Sequence, residues 1–189
     1  LPSTEAVIAK RFNNLLRPLQ VHINRTTVLA GELAEIHGVD KDVCELAAGT
    51  HDLFRSEPDF AQIAAAEKYG IPIGDIEAIT PMLLHGPIAA AWLENEAGLM
   101  DNRVLEAVRW HTFGWPDIDD VGKILYLADK LEPGKINADP TLEPIRILAE
   151  TNPDQALLQL LQKRYEAHQD RGLEVHPFTL ALIENLKSN

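Results

Sequence analysis

An all-α fold is predicted, on three observations. Alanine and leucine are abundant while aromatic residues make up 6% of the 189 residues, a composition that suits helices better than a sandwich or barrel. Apolar residues recur at steps of three and four between capping residues and glycines. No run of alternating β-branched residues nominates a strand anywhere in the chain.

The first helix is expected over Thr4 to Leu19, opened by a Ser/Thr cap, with Val7, Ile8, Phe12, Leu15 and Leu16 along one side and Pro18 making its end irregular. A second helix carries His22 and runs to Ile36, stopped by Gly38; Val39-Asp40 then caps a helix from Lys41 to Leu53. Arg55-Ser56-Glu57-Pro58 breaks the chain, and Asp59 to Tyr69 forms a helix closed by Gly70. Beyond the linker Ile71 to Gly74 come a short helical piece and Pro81-Met82-Leu83-Leu84. A helix from His85 to about Ala97 ends at Gly98, and Asp101-Asn102 caps the next, which reaches His111. After the loop Thr112 to Asp117, Asp119-Asp120 caps a helix through Asp129 to Leu131, terminated by Pro133-Gly134. Helices over about 141–150, from Pro153 to Arg171 behind the cap Asn152, and after Pro177 complete the chain.

The chemistry concentrates at Ala47-Ala48-Gly49-Thr50-His51-Asp52. Cys44, Ala47, Ala48 and His51 fall at i, i+3, i+4 and i+7, so His51 points inward with its apolar neighbours. Asp52 stands about a hundred degrees further round, still near the buried side, where an unpaired carboxylate costs several kcal/mol. A divalent metal would compensate that charge and keep the imidazole neutral; a capped or hydrogen-bonded core pair is the rival reading. Other helices repeat the pattern. His22 continues into Thr26, Leu29 and Leu33, His111 ends the stripe Val104, Ala107, Val108, and Asp129 follows Val121 and Leu125 at fourfold steps. His85 opens its helix with Pro87 near the first turn. Inward histidines and aspartates on separate helices make a metal cluster the economical reading.

Composition sets the bounds. With 46% hydrophobic residues the 189-residue chain can bury one good core, and a single domain over 1–189 is expected, its C-terminal helices from about 141 packing on the metal-binding core. The single Cys44 excludes an internal disulfide and reads as a small core residue. The opening residues Leu1 to Glu5 lack the basic and apolar regions of a signal peptide, no stretch of about twenty apolar residues exists, and a cytoplasmic location is expected. A net charge of -12 with no basic block argues against nucleic acid, while a small phosphorylated substrate is compatible because metal ions supply positive charge locally. Paired helices with apolar flanks permit a homodimer.

The order His22, His51-Asp52, His85, His111, Asp129 resembles the HD-domain metal-dependent phosphohydrolases, and within them the bacterial branch of symmetrical bis(5'-nucleosyl)-tetraphosphatases. The resemblance runs from about His22 to the C-terminus. It is carried also by Ala30 to Glu35 with Gly38-Val39, by His85-Gly86-Pro87, Ala107 to Thr112, the block Lys123 to Asp129 followed by Leu131-Glu132-Pro133, and Asn152 to Leu158. It implies an HD-type helical bundle in which His22, His51, Asp52 and Asp129 hold one divalent ion and His85 and His111 a second, with Asp52 bridging. Iron or manganese suits such a histidine and carboxylate set, and zinc also fits. Two such ions acidify a water and clamp phosphate oxygens, so that no protein nucleophile is needed. The implied function is a dinuclear phosphohydrolase that cleaves nucleoside polyphosphates, diadenosine tetraphosphate to two ADP.

Departures from the family bear on the substrate. Leu19 stands where a basic residue is usual, and Phe113 and Trp115 where a small hydroxyl residue and an arginine are usual. Arg25, one turn after His22, and Arg55, in place of a lysine, could restore phosphate binding. Asp52 and Arg55 are accordingly the expected catalytic residues, and Arg25, Arg55, Trp110, Phe113 and Trp115 the expected substrate contacts. The three aromatics either stack a base or pack their loop. Arg109 reads as an exposed ion-pair former, and His37, His168 and His176 as surface or capping residues. Two other functions compete: an HD-type phosphatase of nucleoside mono- or diphosphates, and a metal- and nucleotide-binding protein without turnover.

Overall fold

Residues 2–188 are described by the computed structural model, and among them every regular element is helical. In order these are α1 (Thr4–Asn13), α2 (Arg17–His37), α3 (Lys41–Thr50), α4 (Asp59–Tyr69), α5 (Asp75–Ile79), α6 (His85–Asn95), α7 (Asn102–Trp110) and α8 (Asp120–Leu131). α9 (Pro133–Ala138), α10 (Glu143–Ala149), α11 (Pro153–Asp170) and α12 (Pro177–Ser188) follow, and 3₁₀ turns occupy Pro81–Leu84 and Pro140–Leu142. The expected caps are in place. Ser3, Asp40, Asp101, Asp119 and Asn152 each accept an N–H from the first turn of their helix. Gly38 and Gly70 close α2 and α4 in the left-handed conformation, at φ 66° and 65°.

Two prolines act differently from their sequence reading. Pro18 does not roughen the end of the first helix, which stops at Asn13; it occupies the first turn of α2, where its missing amide is harmless. Pro133 likewise begins α9 rather than only ending α8, with Glu132 as the cap that accepts from Gly134 N. α3 is shorter than expected. It ends at Thr50, and His51 to Glu57 run on as turns.

α8 organises the core. Val121, Gly122, every residue from Ile124 to Asp129, and Leu131 are buried, so it is apolar nearly all round and contacts α2, α3, α7, α10 and α11. Its large side chains, Ile124, Leu125, Tyr126, Leu127 and Leu131, each contribute about 2 kcal/mol by leaving water. That burial lets α8 carry the Asp129 carboxylate inside, where an uncompensated charge would cost several kcal/mol. α2 packs along α3, and α6 packs on α7. The second contact is close because Gly86 has no side chain. A Cβ there would lie 2.9 Å from the carbonyl oxygens of both Val108 and Arg109. Among the described residues no helix is long and apolar enough to cross a membrane.

Candidate metal centre

The four histidines reach one point by one device and its variant. His51 and His111 sit at the C-caps of α3 and α7, and His85 follows the 3₁₀ turn that leads into α6. Each ends a turn of helix, so its Nδ1 can donate to the carbonyl three residues back: His51 to Ala48 at 2.7 Å, His111 to Val108 at 2.7 Å, and His85 to Met82 at 2.5 Å. A carbonyl only accepts, so the neutral form of each ring carries its proton on Nδ1 and its lone pair on Nε2, the form that ligates a metal. His22 lies inside α2, where the neighbouring carbonyls serve the helix ladder, and it takes a side-chain acceptor instead. Its Nδ1 lies 3.3 Å from Glu132 Oε1.

All four Nε2 atoms converge on two carboxylates. Asp52 Oδ1 is 3.1 Å from His85 Nε2 and 3.4 Å from His111 Nε2. Asp52 Oδ2 is 3.5 Å from the Nε2 of both His22 and His51. Asp129 Oδ1 lies 3.1 Å from His22 and 3.7 Å from His51. The two oxygens of Asp52 thus face two separate pairs of histidines. His51, Asp52, His85, His111 and Asp129 are all buried, and His22 is half-buried. All six sequence-nominated ligands are brought together, and two overlapping sets, His22-His51-Asp129 and His51-Asp52-His111, have donor atoms close enough to share an ion.

The electrostatics fit a cation. His22 Nε2, His51 Nε2 and both oxygens of Asp52 are buried without a hydrogen-bond partner, each an arrangement that costs about 1–3 kcal/mol if nothing else engages the atom. His85 Nε2 and His111 Nε2 confront each other at 3.0 Å as two lone pairs, which a positive ion between them would relieve. Burial opposes charge on Asp52, but His51, His111 and His85 hold its carboxyl well below the usual range; Lys130, His22 and His51 do the same for Asp129. For His51, burial is outweighed by Asp52 and Asp129, which raise it to about 10. His111, buried beside other imidazoles, is pushed down to about 3.

A cavity of about 810 Å³ opens beside the centre, with His111, Thr112, Asp129, Lys130 and Arg55 at that end. Arg55 Nη1 stands 3.6 Å from Asp52 Oδ2. Lys130, which sequence reasoning missed, donates to Asp129 and, at 3.0 Å, to the carbonyl of His111, with its ammonium 4.6 Å from the centre of the Tyr126 ring. Glu132 was also missed as a functional group. Its sequence signals are its place one turn beyond Asp129 and its membership of the Leu131-Glu132-Pro133 segment that carries the resemblance, neither of which names His22 as its partner.

The remaining nominated substrate contacts are not brought to the cavity. Arg25 is half-exposed and lies 3.9 Å from Glu132 on the outer side of that carboxylate. Phe113 is buried, stacked on His176 at 3.8 Å. Trp110 donates to Glu106 at 3.0 Å and packs edge-on against Phe178, and Trp115 covers Gly122 so closely that a Cβ there would collide with the indole. The loop docks α12: Thr179 Oγ1 donates to the Phe113 carbonyl at 2.7 Å and Asn185 to that of Pro116 at 3.0 Å. Of the two readings of these aromatics, packing is the one their contacts match. Arg109 pairs with Glu106 at 3.0 Å; His37 contacts the Ala149 carbonyl, His168 that of Arg164, and His176 accepts from Phe178 N as a cap.

Comparison with known proteins agrees with this geometry. The HD domain family profile matches residues 20–134. The chain is 37% identical over 150 residues to the symmetrical bis(5'-nucleosyl)-tetraphosphatase of Bacillus subtilis, covering 78% of each protein. To the protein of the same name from Halalkalibacterium halodurans it is 31% identical over 157 residues, covering 82% of this chain and 81% of the relative. The crystal structure of an HD superfamily hydrolase from Clostridium acetobutylicum, described as involved in NAD metabolism, superposes with a TM-score of 0.91 at 26% identity over 100% of this chain and 98% of the other.

Proposed function

The chain belongs to the HD domain family, and from that premise we propose that it is a metal-dependent phosphohydrolase that splits dinucleoside tetraphosphates symmetrically, diadenosine tetraphosphate into two ADP. The observation that carries the reading is Asp52, whose two oxygens face two pairs of histidines beside a cavity lined by cations. In this reading His22, His51, Asp52 and Asp129 would hold one divalent ion, and His85 and His111, with Asp52, the other. Iron or manganese matches the mixed nitrogen and oxygen donors. Such ions would supply positive charge against the phosphate oxygens and acidify water at the site.

The chain's own residues do the rest. The central P–O–P bridge breaks; the water oxygen stays with one ADP and the bridging oxygen leaves with the other. Arg55 is the residue placed to bind a phosphate oxygen, reaching the cavity from the turn that carries Asp52. Lys130 offsets the charge of Asp129 and, through the His111 carbonyl, fixes the end of α7. Backbone carbonyls orient His51, His85 and His111, and Glu132 orients His22.

The deciding test is incubation of the protein, loaded anaerobically with iron or manganese, with diadenosine tetraphosphate and separation of products by ion exchange. ADP as sole product supports the reading. ATP with AMP, or no hydrolysis, overturns it.

Glu132→Gln tests the orientation of His22. Glu132 Oε2 accepts from Gly134 N while Oε1 faces His22 Nδ1. A glutamine has one acceptor oxygen for those two donors, so keeping the cap turns its NH₂ toward Nδ1 and moves the imidazole proton onto Nε2. Metal affinity is expected to fall about 10–100-fold, measured by competition with a chromophoric chelator; unchanged affinity would show that His22 needs no such partner.

His51 gives a pH prediction. Free of metal it keeps its proton up to about pH 10, because Asp52 and Asp129 outweigh its burial. A divalent ion must displace that proton. Loading near neutral pH is therefore expected to release about one proton, and affinity to rise roughly tenfold per pH unit over the neutral range. Calorimetry in buffers of different protonation enthalpy counts the proton, and a count of zero would exclude His51 as a ligand.

A further inference from the structure

Away from the centre, the cavity changes character. Six cations line it in all, Arg55, Lys130, Lys135, Lys163, Arg164 and Arg171, against the carboxylates of Asp129, Asp139 and Glu174, in a chain whose net charge is -12. Arg55 and Lys130 are accounted for at the centre, and Lys163 by its 3.7 Å approach to Asp139. Leu160, Arg164, Ala167 and Arg171 fall at i, i+4, i+7 and i+11, which sets both arginines on the one stripe of α11 and its C-cap that faces the cavity, with a small residue between them. Lys163 lies beside them, held by Thr141 Oγ1 at 2.7 Å.

Much of the remaining lining is apolar: Ile76 and Ile79 of α5, Met82 and Leu83 of the next turn, and Leu173 beyond α11. Ile79 is 80% exposed and Leu173 41% exposed. Neither serves the core, yet both line the cavity. Guanidiniums on one helical stripe match phosphate oxygens, and exposed apolar side chains match the face of a flat ring system. Inorganic polyphosphate would use the first feature and leave the second idle; a nucleotide uses both.

We propose that this end of the cavity is a second nucleotide subsite, in which Arg164 and Arg171 hold the phosphates of the departing nucleoside diphosphate and Ile79 and Leu173 take its base. The identity of the departing group rests on the hydrolytic reading above; the subsite itself rests on the cavity. A dinucleoside tetraphosphate cut at its central bridge needs such a site, because half of the molecule extends beyond the reacting phosphorus.

The test is calorimetric titration of ADP, and separately of inorganic pyrophosphate, into the manganese-loaded protein. Arg164→Gln/Arg171→Gln is expected to weaken both ligands roughly tenfold or more, the range for losing charge-assisted hydrogen bonds. Ile79→Ser, at an exposed position, is expected to weaken ADP roughly fivefold by removing apolar contact and to leave pyrophosphate unchanged. Bound manganese and melting temperature should match the parent protein in both variants. An ADP titration unchanged in both stoichiometry and affinity after the loss of both arginines overturns the subsite, and an Ile79→Ser variant that treats ADP and pyrophosphate alike overturns the base wall. If both variants behave as expected while the parent protein hydrolyses no dinucleoside tetraphosphate, the subsite stands and the hydrolytic reading falls.

Discussion

Asp52→Ala is expected to strip the protein of bound divalent metal and to slow hydrolysis of dinucleoside tetraphosphates by about a thousandfold or more, while the fold survives. Among the described residues no other side chain touches all four histidines, with contacts from 3.1 to 3.5 Å. An ion pair of this kind supplies several kcal/mol of charge stabilisation in phosphoryl transfer, and about 4 kcal/mol is a factor of a thousand in rate. The fold tolerates the change because the charge left behind can leave too. Without Asp52, His51 loses one of the two carboxylates that hold its proton while burial still opposes the charge, so the imidazole is drawn toward its neutral form. Elemental analysis, circular dichroism and product assay check the three parts. A folded variant with full metal content and full rate would remove Asp52 from the centre.

Gly86→Ala is the second large effect, and it acts through packing. Its Cβ would sit 2.9 Å from two carbonyl oxygens of α7 and 3.2 Å from Cε1 of His111. The obstacle is backbone, which cannot rotate aside, so α6 and α7 must separate and carry His85 and His111 apart. Overpacking of this kind costs about 3 kcal/mol, which for a chain of this size lowers the melting temperature by roughly 10 °C. Metal affinity should fall with it, since the 3.0 Å approach of the two imidazoles depends on the same contact. A variant that melts with the parent protein and binds metal equally well would show that the helices have slack.

Five of the six candidate ligands were legible because each lies on or directly after an apolar helical stripe, so spacing told which way it points, and His85 because it opens a helix with Pro87 in the first turn. For His51 and Asp52 the phase held although α3 ends at Thr50, since His51 keeps helical backbone angles of φ -58° and ψ -39°. Other features depend on partners far away in sequence. Glu132 acts on His22 across 110 positions, and nothing local distinguishes it from a helix cap. Phe113 looked available for a base because its stacking partner, His176, belongs to the segment before α12. The arginine stripe of α11 has a visible period, yet an exposed basic face acquires meaning only when α5 and the following turn close a cavity over it. Pro18 and Pro133 were read as stops because proline ends one helix and starts another with equal ease.

The contrast between a basic cavity and an acidic chain bears on turnover as well as on binding. Within a screening distance of about 10 Å of the surface at moderate salt, a polyanion is repelled by the net charge of -12; only at the mouth do the local cations prevail. Cleavage divides one strongly held polyanion into two halves, each gripped by fewer of those cations. Once a half slips from the cavity, the surrounding surface drives it outward. The field that hinders arrival therefore hastens exit, and it guards the emptied site against recapture of its own products.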